Sequence, residues 1–134
     1  PDVLTASIHG HPGNFYPYYA GYEDEMGDGE GEGANLNIPL SPGTGDLGWL
    51  AAIEAAARRA TTFGATSLVV ALGLDAAADD PLSVLTVSGE GFWHAGRLLG
   101  EMRLPSAIVQ EGGYLCAALP VNLGRFLDGF QSAR

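Results

Sequence analysis

Lysine is absent from the chain, and no basic residue occurs before Arg58. Six arginines stand against sixteen Asp and Glu, for a net charge of −10 at pH 7. A surface this negative repels phosphate backbones and anionic lipid, which argues against nucleic-acid and membrane partners and in favour of cationic ligands. Cysteine is nearly absent too. Cys116 alone cannot close an internal disulfide, which excludes a disulfide-stapled secreted scaffold and points to the reducing cytoplasm. No apolar run approaches the ~20 residues of a membrane span, and no basic segment opens the chain as a signal peptide would. An initiator Met is missing as well, and PDVLTASIHG runs almost directly into strand-like residues. The chain is therefore expected to be a piece of a larger protein, or a processed one.

What is present suffices for one domain. Of the 134 residues, 46% are hydrophobic, with two Trp, five Tyr and five Phe. That is enough apolar material for a core, so wholesale disorder is excluded. Twenty glycines favour tight turns and close backbone approaches.

Leu4 to Ile8 reads as a short buried strand. The stretch from Gly10 to Gly33 is aromatic, then acidic, then Gly at every second position. Pro12, Pro17 and the glycines forbid a regular helix there. A disordered acidic linker is one reading, but Phe15, Tyr16, Tyr18, Tyr19 and Tyr22 favour an ordered functional loop. Ala34 to Leu40 alternates as a strand does. Asp46 is expected to cap a helix whose buried face carries Leu50, Ile53, Ala57 and Ala60. Arg58 and Arg59 would complement its dipole, and Gly64 would end it. Ser67 to Leu72 is a continuous apolar run, the pattern of a strand covered on both faces. Ser88 opens a second helix through Phe92, Ala95 and Leu99. Ala107 to Val109 forms another short strand. Pro120 starts a last helix, with Leu123, Phe126, Leu127 and Phe130 on its buried side.

Strands alternating with helices imply parallel pairing in a layered α/β sheet. Ligands in such sheets gather at the carboxyl ends of the strands. SLVVAL runs into GLDAAADDP there, and AIV runs into QEGGY. Asp75 reads either as a cap or turn residue or as a hard oxygen ligand for a divalent cation. Asp79 and Asp80 read as turn residues before Pro81. Tyr114 follows Gly112 and Gly113, which let the backbone approach a ligand. Its phenol could donate to a developing oxyanion, or it could simply pack against the next helix. Glu111 could be an acid, a base or a buried partner. His9 and His11 would share a metal only if both rings faced one cation, and His94 lies within a helix. GDGEGEG, flanked by acids, is a poor anion site.

Taken in order, SIHGHPGNFYPYYAGYEDEMGDGEGEGANLNIPL, SLVVALGLDAAADDPL and AIVQEGGY resemble the zinc-dependent histone deacetylase and acetylpolyamine amidohydrolase family. The likeness covers nearly the whole chain and corresponds to the C-terminal part of that family's single catalytic domain, here residues 1–134. It implies an arginase/deacetylase-like α/β fold, present as a partial domain, with a parallel sheet and helices on both faces. By the same resemblance Asp75 is a zinc ligand and Tyr114 the catalytic tyrosine that polarises the acetyl carbonyl. Ser7 through its hydroxyl and Ile8 through its carbonyl would ligate a monovalent cation such as K+. Tyr16, with Gly112 and Gly113, would line the substrate channel. The family's upstream Asp-x-His zinc ligands and its paired histidines have no counterpart here, and His9 does not replace them. Catalytic zinc normally takes three protein ligands, and this chain supplies one.

The expected function is thus the C-terminal part of a zinc-dependent amidohydrolase acting on acetylpolyamines or acetyl-lysine, the fragment alone being inactive. Homo-oligomers are expected, because half a sheet exposes edges. A non-catalytic α/β binding or assembly module is the alternative. A two-metal ureohydrolase-like enzyme is disfavoured by Tyr114, since that chemistry needs a second metal rather than a phenol.

Overall fold

The protein is described here from a computed structural model covering residues 2–134. The described residues form four strands and three α-helices, β1 (Thr5–Gly10), β2 (Asn35–Leu40), α1 (Asp46–Phe63), β3 (Leu68–Leu72), α2 (Gly89–Glu101), β4 (Ser106–Gln110) and α3 (Leu119–Ser132), with 3-10 turns at Gly29–Gly31 and Leu74–Ala76. All pairing between these strands is parallel, in two separate two-stranded sheets, β1–β2 and β3–β4. The registers Ile8↔Ile38 and Leu72↔Gln110 align the carboxyl ends within each pair.

One apolar cluster gathers the elements. Trp49 and Ile53 of α1, Leu72 of β3, Phe92 and Ala95 of α2 and Phe126 of α3 are buried together. The Trp49 and Phe92 rings meet edge to face, 5.2 Å between centroids. Ile8, Leu40, Val70 and Ile108 pack against this cluster from the strands, with α1 against β1, β2 and α2, and α2 against α3. The other face of the β3–β4 pair carries Val69, Ala71, Ala107 and Val109, and all four are exposed, Val69 at 74%. The expectation that SLVVAL is covered on both faces is therefore not met among the described residues. Its apolar residues do point both ways, but only the Leu68–Val70–Leu72 side packs on the core.

Helix ends follow from particular residues. Gly64 takes the left-handed conformation, φ 84°, and its N–H caps Ala60 and Thr61 carbonyls. Ser88 caps α2 by accepting from the Gly91 N–H at 3.2 Å. Asp46 does not cap α1, whose N-cap is Gly45. Its carboxylate instead accepts from the Ser88 N–H at 2.8 Å and the Ser88 hydroxyl at 2.6 Å, tying the start of α1 to the start of α2. Arg58 and Arg59 lie short of the last turn of α1. Arg58 pairs with Glu54, and Arg59 donates to the Gly33 carbonyl, anchoring the preceding loop.

That loop contains no α-helix, only a 3-10 turn at Gly29–Gly31, and local bonds order the rest. Glu25 accepts from the Gly21 N–H at 2.8 Å and the Asn37 amide at 3.1 Å, and Asn37 also donates to the Tyr22 carbonyl. The aromatic residues thus belong to a folded excursion from β1, and the disordered-linker reading falls.

Candidate active site

The β3–β4 ladder continues beyond the strands. The Glu111 N–H donates to the Leu72 carbonyl at 3.1 Å, and the Leu74 N–H to the Gly112 carbonyl at 3.0 Å. These two bonds zip the segment after β3 to the segment after β4, placing Asp75 against Gly112. A Cβ on Gly112 would fall on the Asp75 carboxylate, so a side chain there would have to push that carboxylate aside. Gly113 has φ 119°, a conformation that glycine alone adopts without strain, and it turns the chain into Tyr114. The rim expected from the two strand ends is thus assembled, with Asp75, Gly112, Gly113 and Tyr114 together on it.

Asp75 is half-buried. Burial pushes its carboxyl above the usual carboxylate range, its own backbone N–H opposes that, and the charge of Asp80 adds to the push. A carboxylate held against its preference for water is suited to a cation. The Tyr114 side chain is 48% exposed, and among the described residues its phenol has no hydrogen-bond partner.

Asp80 carries more than the turn expected of it. It is 7% exposed. One carboxylate oxygen accepts from the Leu82 N–H at 2.9 Å, closing the local turn, and the other accepts from the Tyr114 N–H at 2.7 Å. The first bond is the ordinary two-residue reach of an aspartate. The second spans 34 residues, and no local pattern signals it.

The remaining candidates lie around β1. His9 Nε2 is 2.8 Å from the Gly21 carbonyl, and its Nδ1 is 2.8 Å from the Ser7 hydroxyl. A carbonyl only accepts, so in the neutral ring Nε2 carries the proton and Nδ1 accepts from Ser7. The Ser7 oxygen then keeps its lone pairs for another partner. His11 Nδ1 accepts from the Gly13 N–H, and its ring meets the edge of Tyr22. The two histidines therefore share no cation. Ile8 packs on the core from mid-strand. Tyr16 is 69% exposed and meets Tyr18 edge to face. Among the described residues no hydrogen bond or ring contact joins it to Asp75 or Tyr114.

Residues 1–129 match the family model of the histone deacetylase domain. The chain belongs to that family. An acetylpolyamine amidohydrolase of Burkholderia pseudomallei is 44% identical over 133 residues, 99% of this chain and 39% of that protein. Acetylpolyamine amidohydrolase 1 of Pseudomonas aeruginosa is 39% identical over 132 residues, 98% of this chain and 38% of the relative. The crystal structure of the acetylpolyamine aminohydrolase from B. pseudomallei matches with a TM-score of 0.95 over 98% of this chain and 39% of that one. This member of the histone deacetylase family thus spans well under half the length of these relatives, and its fold is a deacetylase-like α/β domain present in part.

Proposed function

We propose that residues 1–134 are the C-terminal portion of the catalytic domain of a zinc-dependent amidohydrolase that removes acetyl groups from acetylated amines. The observation that supports this most directly is the pairing of Asp75 with the Gly112–Tyr114 turn at adjoining strand ends, in a chain of the histone deacetylase family. Asp75 fits zinc as one hard oxygen donor. No group of three or more His, Cys, Asp and Glu able to hold a metal occurs among the described residues. A zinc at Asp75 therefore needs ligands from outside the chain, and the segment on its own would be inactive.

When bound, zinc supplies polarisation of the acetyl carbonyl and an activated water. The chain's own contribution is the other side of the carbonyl. Tyr114 donates its phenolic proton in a hydrogen bond to the oxygen as negative charge builds there. Gly112 and Gly113 let the backbone come close to the substrate, and Tyr16 forms an aromatic wall of the channel. Ser7 and Ile8 hold a monovalent cation such as K+. The −10 charge favours a cationic substrate, an acetylpolyamine ahead of acetyl-lysine. No helix among the described residues is long and apolar enough to cross a membrane.

Tyr114→Phe in the intact enzyme tests this. The variant should retain fold and metal but lose about 2.7–4 kcal/mol of transition-state stabilisation, the scale of one oxyanion donor. Steady-state kinetics on an acetylpolyamine read the loss. An unchanged kcat/KM removes Tyr114 from the chemistry and favours a non-catalytic module of the same fold.

A further inference from the structure

The Gly112 carbonyl is held by the Leu74 N–H at 3.0 Å and the Gln110 side-chain amide at 2.8 Å, and beyond it the turn has little of its own to fix it. Gly112 and Gly113 lack side chains, and residues 111–114 form no regular element. The Tyr114 ring is half exposed. The hydrogen bond that anchors Tyr114 among the described residues is the one from its N–H to Asp80.

Asp80 has the fixed surroundings that the turn lacks. Its N–H donates to Ala77 at 3.0 Å, and its carbonyl accepts from Ser83 at 3.2 Å. The segment around it is stitched to the rest of the fold at both ends. The Ala78 N–H donates to Val87 at 2.9 Å, the Val87 N–H donates to Ala76 at 3.1 Å, and Thr86 bonds Thr44. Both acceptor oxygens of Asp80 are committed, one to Leu82 within this segment and one across to Tyr114. A buried carboxylate accepting two backbone N–H groups is a strong, directional tie.

We propose that Asp80 is the positioning residue of the site, setting where the Tyr114 phenol stands relative to Asp75 by gripping the Tyr114 backbone. The proposal rests on the reading of Tyr114 as the oxyanion donor. Asp80 itself touches no substrate. Its hydrogen bond acts through the placement of Tyr114, apart from its charge, which bears on Asp75, and that bond ties the segment after β3 to the segment after β4 at a second point beyond the ladder.

The test is a double-mutant cycle in the intact holoenzyme with Asp80→Asn and Tyr114→Phe, read as kcat and KM on an acetylpolyamine, with zinc content and melting temperature alongside. An asparagine can accept one of the two N–H groups but presents a donor to the other. Asp80→Asn alone should lower kcat by about 10- to 100-fold, the scale of a small misplacement, with KM within about twofold. In the Tyr114→Phe background the same substitution should change kcat little, because the group it places is gone. Equal losses in both backgrounds, or no loss in either, overturn the role of Asp80. An unchanged kcat in Tyr114→Phe alone overturns the reading of Tyr114 instead. Should Asp80→Asn fail to fold, Asp80→Glu, which keeps both acceptors and adds one methylene, runs the same cycle. Amide exchange in the wild-type enzyme gives a readout free of either variant. The Tyr114 N–H should be protected well beyond its neighbours in the turn, and an unprotected amide overturns the proposal.

Discussion

Asp75 is held in a place that suits it better neutral than charged. Burial raises its pKa, chiefly by desolvation, so the fold accommodates the protonated form more readily. The stability this lends is complete below about pH 4, the ordinary carboxylate value, and is lost as pH rises through the raised value. In metal-free buffer, Asp75→Asn should therefore melt close to the wild type at pH 4 and above it at pH 7. Thermal melts in a chelator at the two pH values read the difference, and a gap that does not widen with pH contradicts it. Asp75 and Tyr114 were visible in the sequence because each follows a strand within a few residues, and strand ends in α/β sheets share a rim. Asp80 was visible only as a turn residue. Its bond to Tyr114 joins two loops separated by a helix and a strand, and neither segment alone contains a trace of it.

At the scale of elements, α2 and α3 lie so close that their backbones touch. A Cβ on Gly96 would run into the Phe126 carbonyl, and one on Gly129 into the Trp93 carbonyl. Alanine is the better helix former by about 1 kcal/mol. The obstacle here is main chain rather than the end of a flexible side chain, so the helices must separate, at about 1–3 kcal/mol. Gly96→Ala should thus lower the urea midpoint, while Gly124→Ala, with open space around it, should not. A higher midpoint for Gly96→Ala would mean that the two helices slide apart freely. All four strands and three helices could be read from apolar spacing and turn residues, to within a residue or two at most ends. The close crossing could not, since a helical glycine reads as a weak position until its neighbour is known. The role of Asp46 was hidden for a related reason. Its place before an apolar run suggests a cap, and only the meeting of two helix starts reveals Ser88 as its partner.

Across the whole molecule, one side of β3–β4 packs on the core and the other presents Val69, Ala71, Ala107 and Val109. The strand pairs also leave edges with unpaired backbone groups, which invite pairing with another chain. Residues 1–134 alone should therefore form dimers or larger assemblies and bind zinc weakly. Light scattering with zinc titration checks this, and a monomer with tight stoichiometric zinc contradicts the partial-domain reading. The parallel ladder also sets the order in which the rim can come into being. Asp75 and Tyr114 meet only after the chain has travelled from Leu72 through α2 and back to Ser106, a long closure that parallel pairing cannot shorten. Helices α1 and α2 are local and can form early, whereas the rim must wait for β4 to find β3. A cation added at the outset of refolding would meet a chain with helices but no rim, and should leave the early phases of folding at the same speed.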